Sequence, residues 1–350
     1  MREKYLSGSA SRFGSRTYDH PVVVTGGAGA LGSALVKLLL EGGCPDVRVV
    51  DLHPCSGMEK CVRSFPIDIR EDDFHTPLAD AKTVFHLAEC RDRSQHANAK
   101  SRIPFFSVNV DGTRRLLDAA DANGIERFVF VSSALVYGIP QQLPLREDHP
   151  TVPTGPYGQS KLEAEKYVEV AHRRQLDTAI VRPGRIVGPG HVDVVTRVFD
   201  GVLGNKPIVL MGDGYNRYEL TAAFDVANLV FRAGLARGHA VYNASSANVP
   251  TMREWIARVI EQAGSRSRII GFPGSFKLAL RLLEKAHTSL LHRDRYEMSH
   301  LDYYLNATRA REELGWTPRY SSLDAILGAF RWYTSNVNAH SSRLTRNRAR

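Results

Sequence analysis

Tyr157 and Lys161 stand four residues apart in Tyr157-Gly158-Gln159-Ser160-Lys161. At the start of a helix that spacing puts both side chains on one face, one turn from each other. An ammonium so placed draws a phenol from its ordinary pKa of about 10 toward neutrality. Such a phenol can take a proton from a hydroxyl or return one to a carbonyl oxygen. Ser133, in Val131-Ser132-Ser133-Ala134-Leu135-Val136-Tyr137-Gly138, offers a hydroxyl that could hydrogen-bond the reacting oxygen. A Tyr and a Lys at this spacing are common. Taken alone, the pair reads equally well as an amphipathic-helix residue beside a solvated lysine.

A second segment changes that balance. Thr25-Gly26-Gly27-Ala28-Gly29-Ala30-Leu31-Gly32 follows a β-branched run and precedes a helical pattern. Gly26, Gly29 and Gly32 leave out the Cβ atoms that would keep a pyrophosphate from the N–H groups at a helix N-terminus. The next β-branched run closes on Asp51, about twenty residues on, where a carboxylate accepts from the adenine ribose hydroxyls of a dinucleotide. Its charge would repel a 2′-phosphate, so NAD is favoured. NADP stays open because Arg48 or His53 could fold over that phosphate. Phenol, ammonium and dinucleotide together imply hydride transfer between a nicotinamide and a hydroxyl or ketone.

These groups need a scaffold, and the sequence supplies one. Strands are predicted at Val22–Val24, Val47–Val50, Thr83–His86, Phe128–Val131 and Thr178–Val181, alternating with helices over Gly32–Leu40, Val110–Asn123 and Ser160–Gln175. Short apolar strands alternating with helices indicate βαβ units and a parallel sheet covered on both faces. The fold class is therefore α/β: a Rossmann-type doubly wound parallel sheet with a smaller, mostly helical C-terminal substrate lobe. The expected division is a nucleotide-binding domain over 21–183 and a lobe over 184–334, with 240–243 returning to the main sheet. Residues 1–20 and 335–350 are expected to be disordered basic tails.

Composition narrows the alternatives. The 350 residues are 43% apolar and 24% charged, and they hold no apolar run long enough for a transmembrane span. Much of the net charge of +9 sits at the two ends, not along one helix, which argues against a nucleic-acid partner. The basic, serine-rich first twenty residues lack the apolar segment of a secretory signal; a transit peptide is the weaker alternative. Cys44, Cys55, Cys61 and Cys90 form no CxxC pair, and with His53 and His75 they match no zinc spacing, so no metal is expected. The expectation is a cytoplasmic protein acting on a small molecule, with a homodimer compatible.

The whole set resembles the extended short-chain dehydrogenase/reductase family, also called the NAD-dependent epimerase/dehydratase family, over residues 20 to 333. The likeness runs through TGGAGALG at 25–32, FHLAE at 85–89, VNVDGT at 108–113, VSSALVYG at 131–138, YGQSK at 157–161, RPGRIVGPG at 182–190 and MGDGYNRYE at 211–219. The resemblance implies that Asp68 and Ile69 flank the adenine and that Leu87 and Ala88 line the cofactor path. It implies that Asn109 supports the active-site helix or a proton relay, that Lys161 also holds the nicotinamide ribose, and that Pro183 sits against the carboxamide.

Departures from the family pattern bear on the substrate. Dehydratases of the family carry a Thr-Asp-Glu run where this chain has Ser133-Ala134-Leu135, so elimination of water is disfavoured. Many UDP-sugar epimerases have Asn where Arg185 stands and Arg where Tyr218 stands; Arg185 or Arg217 could replace those nucleotide contacts. Glu89 takes the place of a small residue, and a charged segment follows it from Arg91 to Arg102. That segment could bind a phosphorylated or carboxylated substrate, or be a solvated loop. The RPG segment and the amphipathic stretch from Phe276 to Leu291 are similar to relatives that oxidise hydroxysteroids or long-chain ketones. The leading expectation is accordingly a dehydrogenase of that type. The alternatives are a UDP-sugar 4-epimerase-like enzyme with tightly held NAD and, from another class, a non-catalytic cofactor-sensing protein.

Overall fold

The structure is a computed structural model and describes residues 17–71, 73–90, 105–191, 195–272 and 300–348, without the side chains of 211 and 337–348. The chain forms two units. The first takes in residues up to Gly184, Phe224–Ser245 and Leu305–Pro318; the second takes in Arg185–Ala223, Ser246–Tyr304 and residues from Arg319 on.

The first unit is built on β1 (Val22–Thr25), β2 (Val47–Asp51), β3 (Arg63–Pro66), β4 (Thr83–His86), β5 (Arg127–Val131) and β6 (Asp177–Pro183). With the later β10 (Ala240–Ala244) these make one seven-stranded sheet of order β10-β6-β5-β4-β1-β2-β3, parallel throughout. Every residue of β1, β4 and β5 is buried, as expected of strands covered on both faces. The chain runs from β1 out to β3, then returns to place β4 on the other side of β1. Open α/β sheets bind ligands at such a switch point, outside the carboxyl ends of the strands.

Helix α1 (Ala30–Glu41) follows β1, and the single turn α2 (His75–Leu78) precedes β4. Before β5, a π-helical turn over Ser107–Gly112 leads into α3 (Thr113–Ala122), so the segment predicted as one α-helix is two kinds of helix. Between β5 and β6 lies α4 (Pro156–Arg173), which begins four residues earlier than the apolar periodicity indicated. Pro156 at its first position has φ already set for a helix and has no N–H to leave unpaired. One core joins α3 and α4 to the sheet through Leu116, Leu117, Ala164 and Val168 against Val84, Phe128 and Ile180.

The second unit begins with β7 (Arg185–Val187), α5 (Thr196–Leu203), β8 (Ile208–Met211) and β9 (Leu220–Ala222). Strands β7 and β9 pair in parallel. Helix α6 (Ala223–Leu235) and β10 then belong to the first unit, where β10 lies beside β6. The chain re-enters the second unit with α7 (Met252–Ala263) and β11 (Ile269–Phe272), which pairs with β8. Helix α8 (Thr308–Leu314) is again in the first unit, and α9 (Ser322–Arg348) closes the second. Val187, Phe199, Leu220, Trp255, Ile256, Ile326 and Phe330 form the second unit's core.

Two boundary expectations change. The segment after residue 184 is not a continuous lobe, because α6, β10 and α8 belong with the sheet. Val226, Leu229 and Val230 of α6 are fully buried, and the indole of Trp316 donates to the Asp225 carbonyl at 3.0 Å. An apolar helix and an alternating strand need such a surface, and the sheet offers it. At the other end, residues 335–348 are helical rather than disordered, continuing α9. A helix nucleated by the packing of Ile326 and Phe330 extends at little further cost through residues that tolerate helix. Of the N-terminal tail, residues 1–16 lie outside the described residues; Tyr18 is buried, and its hydroxyl donates to the Phe231 carbonyl at 2.7 Å.

Candidate active site

The parallel register brings the carboxyl ends of β1, β4, β5 and β6 to one edge of the sheet. From that edge emerge the glycine loop after Thr25, the Leu87–Cys90 segment, Ser132 and Ser133, and Pro183 at the end of β6.

The glycine loop is fixed by close contact. Gly26 adopts φ +70°, and a Cβ there would lie 2.6 Å from the Ala88 nitrogen. A Cβ on Gly32 would lie 2.1 Å from the Gly26 carbonyl oxygen, so α1 reaches the loop only through a glycine. Gly29 is the N-cap of α1; no side chain caps that end, and no acid stands in the first turn. The Asp51 carboxylate accepts the Ala28 N–H at 3.0 Å and the His53 N–H at 3.0 Å. Beneath the loop, the buried Cys55 thiol lies 3.5 Å from the Gly27 carbonyl.

The reactive side chains converge after β4 and β5. Tyr157, in the first turn of α4, donates its hydroxyl to Glu89 Oε2 at 2.7 Å. Its ring meets Phe105 edge-on at 6.1 Å between centroids. Lys161 is only 1% exposed; its ammonium donates to the Val131 carbonyl at 2.8 Å and lies 2.9 Å from Glu89 Oε2. It also stands 4.9 Å from the centroid of the Phe130 ring. A buried ammonium needs such partners, because its desolvation is otherwise costly. Ser133 lies at the β5 exit and is buried, its hydroxyl oxygen accepting the Leu135 N–H at 3.2 Å. The neighbouring Ser132 hydroxyl is buried and has no hydrogen-bond partner among the described residues.

Asn109, in the π-helical turn, ties two of these segments together. Its amide nitrogen donates to Ser160 Oγ at 3.0 Å and to the Cys90 carbonyl at 3.2 Å, and its oxygen accepts the Cys90 N–H at 2.7 Å. The segment bearing Glu89 is thereby held against the helix bearing Tyr157 and Lys161. A directed chain of hydrogen bonds runs below. The Ala88 N–H donates to Thr25 Oγ1, which lies 2.6 Å from His86 Nδ1. His86 Nε2 lies 2.8 Å from Thr113 Oγ1, whose hydroxyl donates to the Asn109 carbonyl. With Thr113 committed as donor, His86 Nε2 carries a proton, and on a neutral ring Nδ1 then accepts from Thr25. Burial, with the Lys161 charge nearby, pulls the His86 pKa down to about 3.

The remaining expected site residues divide. Leu87 and Ala88 run beside Thr25, the Leu87 N–H donating to the Thr25 carbonyl at 3.1 Å. The Asp68 carboxylate is clasped by the Arg70 guanidinium, at 2.6 Å to Nη2, and that hydrogen bond holds its pKa low. Ile69 turns its side chain into the core of the first unit, so its main chain is what remains at the strand exit. Arg185, Arg217 and Tyr218 belong to the second unit. The Arg185 guanidinium stands 5.2 Å over the Tyr218 ring. Arg217 does not join them; it stacks on Tyr304 at 4.4 Å and faces Asp302 at 3.6 Å. Arg91–Arg102 and Phe276–Leu291 lie outside the described residues. Glu89 is the residue whose place in the site the sequence reading missed. Its signal was a carboxylate at a strand exit where the family pattern has a small side chain.

Residues 22–245 match the NAD dependent epimerase/dehydratase family. The chain belongs to this family. It is 35% identical over 317 residues to the uncharacterized protein y4nG of Sinorhizobium fredii, covering 90% of this chain and 78% of that one. It is 30% identical over 322 residues to the UDP-glucose 4-epimerase of Mycolicibacterium smegmatis, covering 87% and 95%. Among solved structures, MoeE5 in complex with UDP-glucose and NAD is 25% identical, with a TM-score of 0.75 over 91% of this chain and 99% of that one. The chain is thus an enzyme of the extended short-chain dehydrogenase/reductase type, and NAD is its cofactor. The glycine loop fits that group: the uncapped N-terminus of α1 leaves main-chain N–H groups for a pyrophosphate. Among the described residues, no helix is long and apolar enough to cross a membrane.

Proposed function

We propose that this protein is a sugar-nucleotide 4-epimerase that retains NAD and acts on a UDP-hexose. The observation that carries the reading is the convergence of Tyr157 and Lys161 beside the glycine-loop switch point, in a chain related along most of its length to UDP-glucose 4-epimerases. The relatives favour this alternative over the hydroxysteroid or long-chain-ketone dehydrogenase that led the sequence reading.

In this proposal Gly26, Gly29 and Gly32 admit the pyrophosphate to the α1 N-terminus, and Asp51 accepts from the adenine ribose. Asp68, Ile69, Leu87, Ala88 and Asn109 shape the rest of the cofactor path, and Pro183 stands at its nicotinamide end. NAD supplies a hydride acceptor that can give the hydride back. Tyr157 exchanges the proton of the sugar hydroxyl, and Ser133 hydrogen-bonds the same oxygen. Lys161 holds the nicotinamide ribose and adds positive charge. Bound NAD, by giving the hydride back to the other face of the ketone, would supply the chemistry of epimerisation. Ala134 and Leu135 fill a short 3-10 turn with apolar side chains, so no acid–base pair stands there for elimination of water. In the second unit, the Arg185–Tyr218 pair is proposed to take over the nucleotide diphosphate contacts that related enzymes make with Asn and Arg.

The test is to denature the purified protein, assay the released nucleotide, and incubate the native protein with UDP-glucose, UDP-galactose and UDP-glucuronate without added cofactor. Retained NAD and interconversion of a 4-epimer pair are expected. Stoichiometric accumulation of NADH with a released keto product would overturn the reading in favour of a dehydrogenase.

A further inference from the structure

Glu89 makes this site differ in charge from one built on Tyr157 and Lys161 alone. Its carboxylate sits between them, Oε2 lying 2.7 Å from the Tyr157 hydroxyl and 2.9 Å from the Lys161 ammonium. It is partly buried, with 18% of the side chain exposed. The placement is enforced: Asn109 holds the main chain of Cys90 at both N–H and C=O, which fixes the backbone directly after Glu89. Tyr157 therefore faces two opposite charges. The negative one accepts the hydroxyl proton directly at 2.7 Å and pairs with the ammonium at 2.9 Å through the same oxygen. A hydrogen bond to an anion favours the protonated phenol, and the ion pair offsets the pull of the ammonium.

We propose that Glu89 is a positioning residue that holds Tyr157 as a phenol and receives its proton when Tyr157 acts as a base. The inference rests on the hydride-transfer reading of this site. In the oxidising direction the substrate O–H bond breaks and its proton bonds to Tyr157 Oη. The Tyr157 O–H bond breaks in turn, and that proton passes to Glu89. The electron pair of the substrate O–H bond becomes the second C–O bond as the neighbouring C–H pair leaves as hydride for the nicotinamide. Reduction of the ketone returns each proton by the same path. Between the two half-reactions the proton is stored on Glu89.

The other groups around Tyr157, among the described residues, do not offer this. On the β4 side stand His86, whose burial disfavours the charged form, and Cys90, next in the chain. From the β5 exit come the Ser132 and Ser133 hydroxyls, from the π-helical turn Asn109, from just before that turn Phe105, and from α4 itself Lys161. None of these is an anion.

The test is a tyrosinate titration of the full-length protein as purified, read at 295 nm. Subtracting Tyr157→Phe from wild type isolates Tyr157, and subtracting the Glu89→Gln/Tyr157→Phe double variant from Glu89→Gln isolates it without the carboxylate. The midpoint in Glu89→Gln is expected at least about one pH unit below that in wild type, since the ammonium then acts unopposed. Glu89→Asp is expected to restore most of the difference. If Glu89→Gln fails to fold by circular dichroism, Glu89→Ala, with the small side chain usual in the family, replaces it. Coincident midpoints, or a higher one without the carboxylate, would overturn the proposal. The titration needs no substrate, so failure to epimerise any UDP-sugar would count against the proposed function and leave this result readable.

Discussion

The Asp51 carboxylate at the end of β2 reaches back 3.0 Å to the Ala28 N–H in the loop after β1. That bond braces the turn after β1, and in the proposed function the same carboxylate accepts from the adenine ribose. Asp51→Ala removes both. It is expected to weaken NAD binding roughly ten- to a hundredfold, the worth of one hydrogen bond to a charged group at about 1.5–3 kcal/mol. NADP should lose less, so the NAD-to-NADP ratio of dissociation constants should rise. Fluorescence titration with each cofactor measures this, and an unchanged ratio removes Asp51 from the ribose.

Tyr157→Phe keeps the ring against Phe105 and removes only the hydroxyl. Turnover of any identified substrate is expected to fall below detection, while NAD affinity stays within a few-fold because Lys161 and the glycine loop are intact. Undiminished activity would sink the role given to the phenol. A large loss of NAD affinity would instead assign Tyr157 to cofactor binding.

How much of this could be read from the sequence depended on whether a residue acts through local pattern or through a distant partner. The strands at β1, β2, β4, β5 and β6 were legible because strands buried on both faces are written as unbroken apolar runs. Gly26, Gly29 and Gly32, and the Tyr157–Lys161 spacing, were legible because each is a short-range geometric requirement. The Glu89 contact was not, since it joins residues 68 positions apart and carries no periodicity. The return of α6, β10 and α8 to the first unit was only partly legible. Ala240–Asn243 read as a strand, but an amphipathic helix does not say which surface it covers. The helical 335–348 segment was read as a tail because its composition is polar, although polar residues extend a helix already anchored by packing.

His86 makes the fold pH-sensitive in a stated direction. Its folded pKa, about 3, lies below its ordinary value of 6.5, so in the window between them the unfolded chain holds a proton that the folded protein does not. Stability from this group is present above 6.5 and is lost as pH falls toward 3. Between pH 7 and pH 5 the loss is expected to be about 2 kcal/mol, at about 1.4 kcal/mol per unit. Urea denaturation at the two pH values, in wild type and in His86→Gln, isolates it. The glutamine keeps one donor and one acceptor but cannot charge, so its stability should change less over that interval. Equal changes would show that other groups carry the dependence.

Glu165 lies one further turn along the face of α4 that carries Tyr157 and Lys161. Its carboxylate pairs with the Arg182 guanidinium through two hydrogen bonds, at 2.9 and 2.6 Å, with both side chains buried. Arg182 belongs to β6 and also donates to the Tyr137 hydroxyl at 3.1 Å, which in turn donates to Asn243 in β10. The active-site helix is thus anchored to two strands through one charged pair. Removing the carboxylate strands a guanidinium in the interior, and breaking a buried pair from one side costs about 3–5 kcal/mol. Glu165→Gln is therefore expected to lower the denaturation midpoint markedly. Replacing both partners, as Glu165→Met with Arg182→Met, should recover part of the loss, because no unpaired charge then remains. A double variant no more stable than Glu165→Gln would mean that the Tyr137 and Asn243 bonds, and not the charge pair, hold the helix in place.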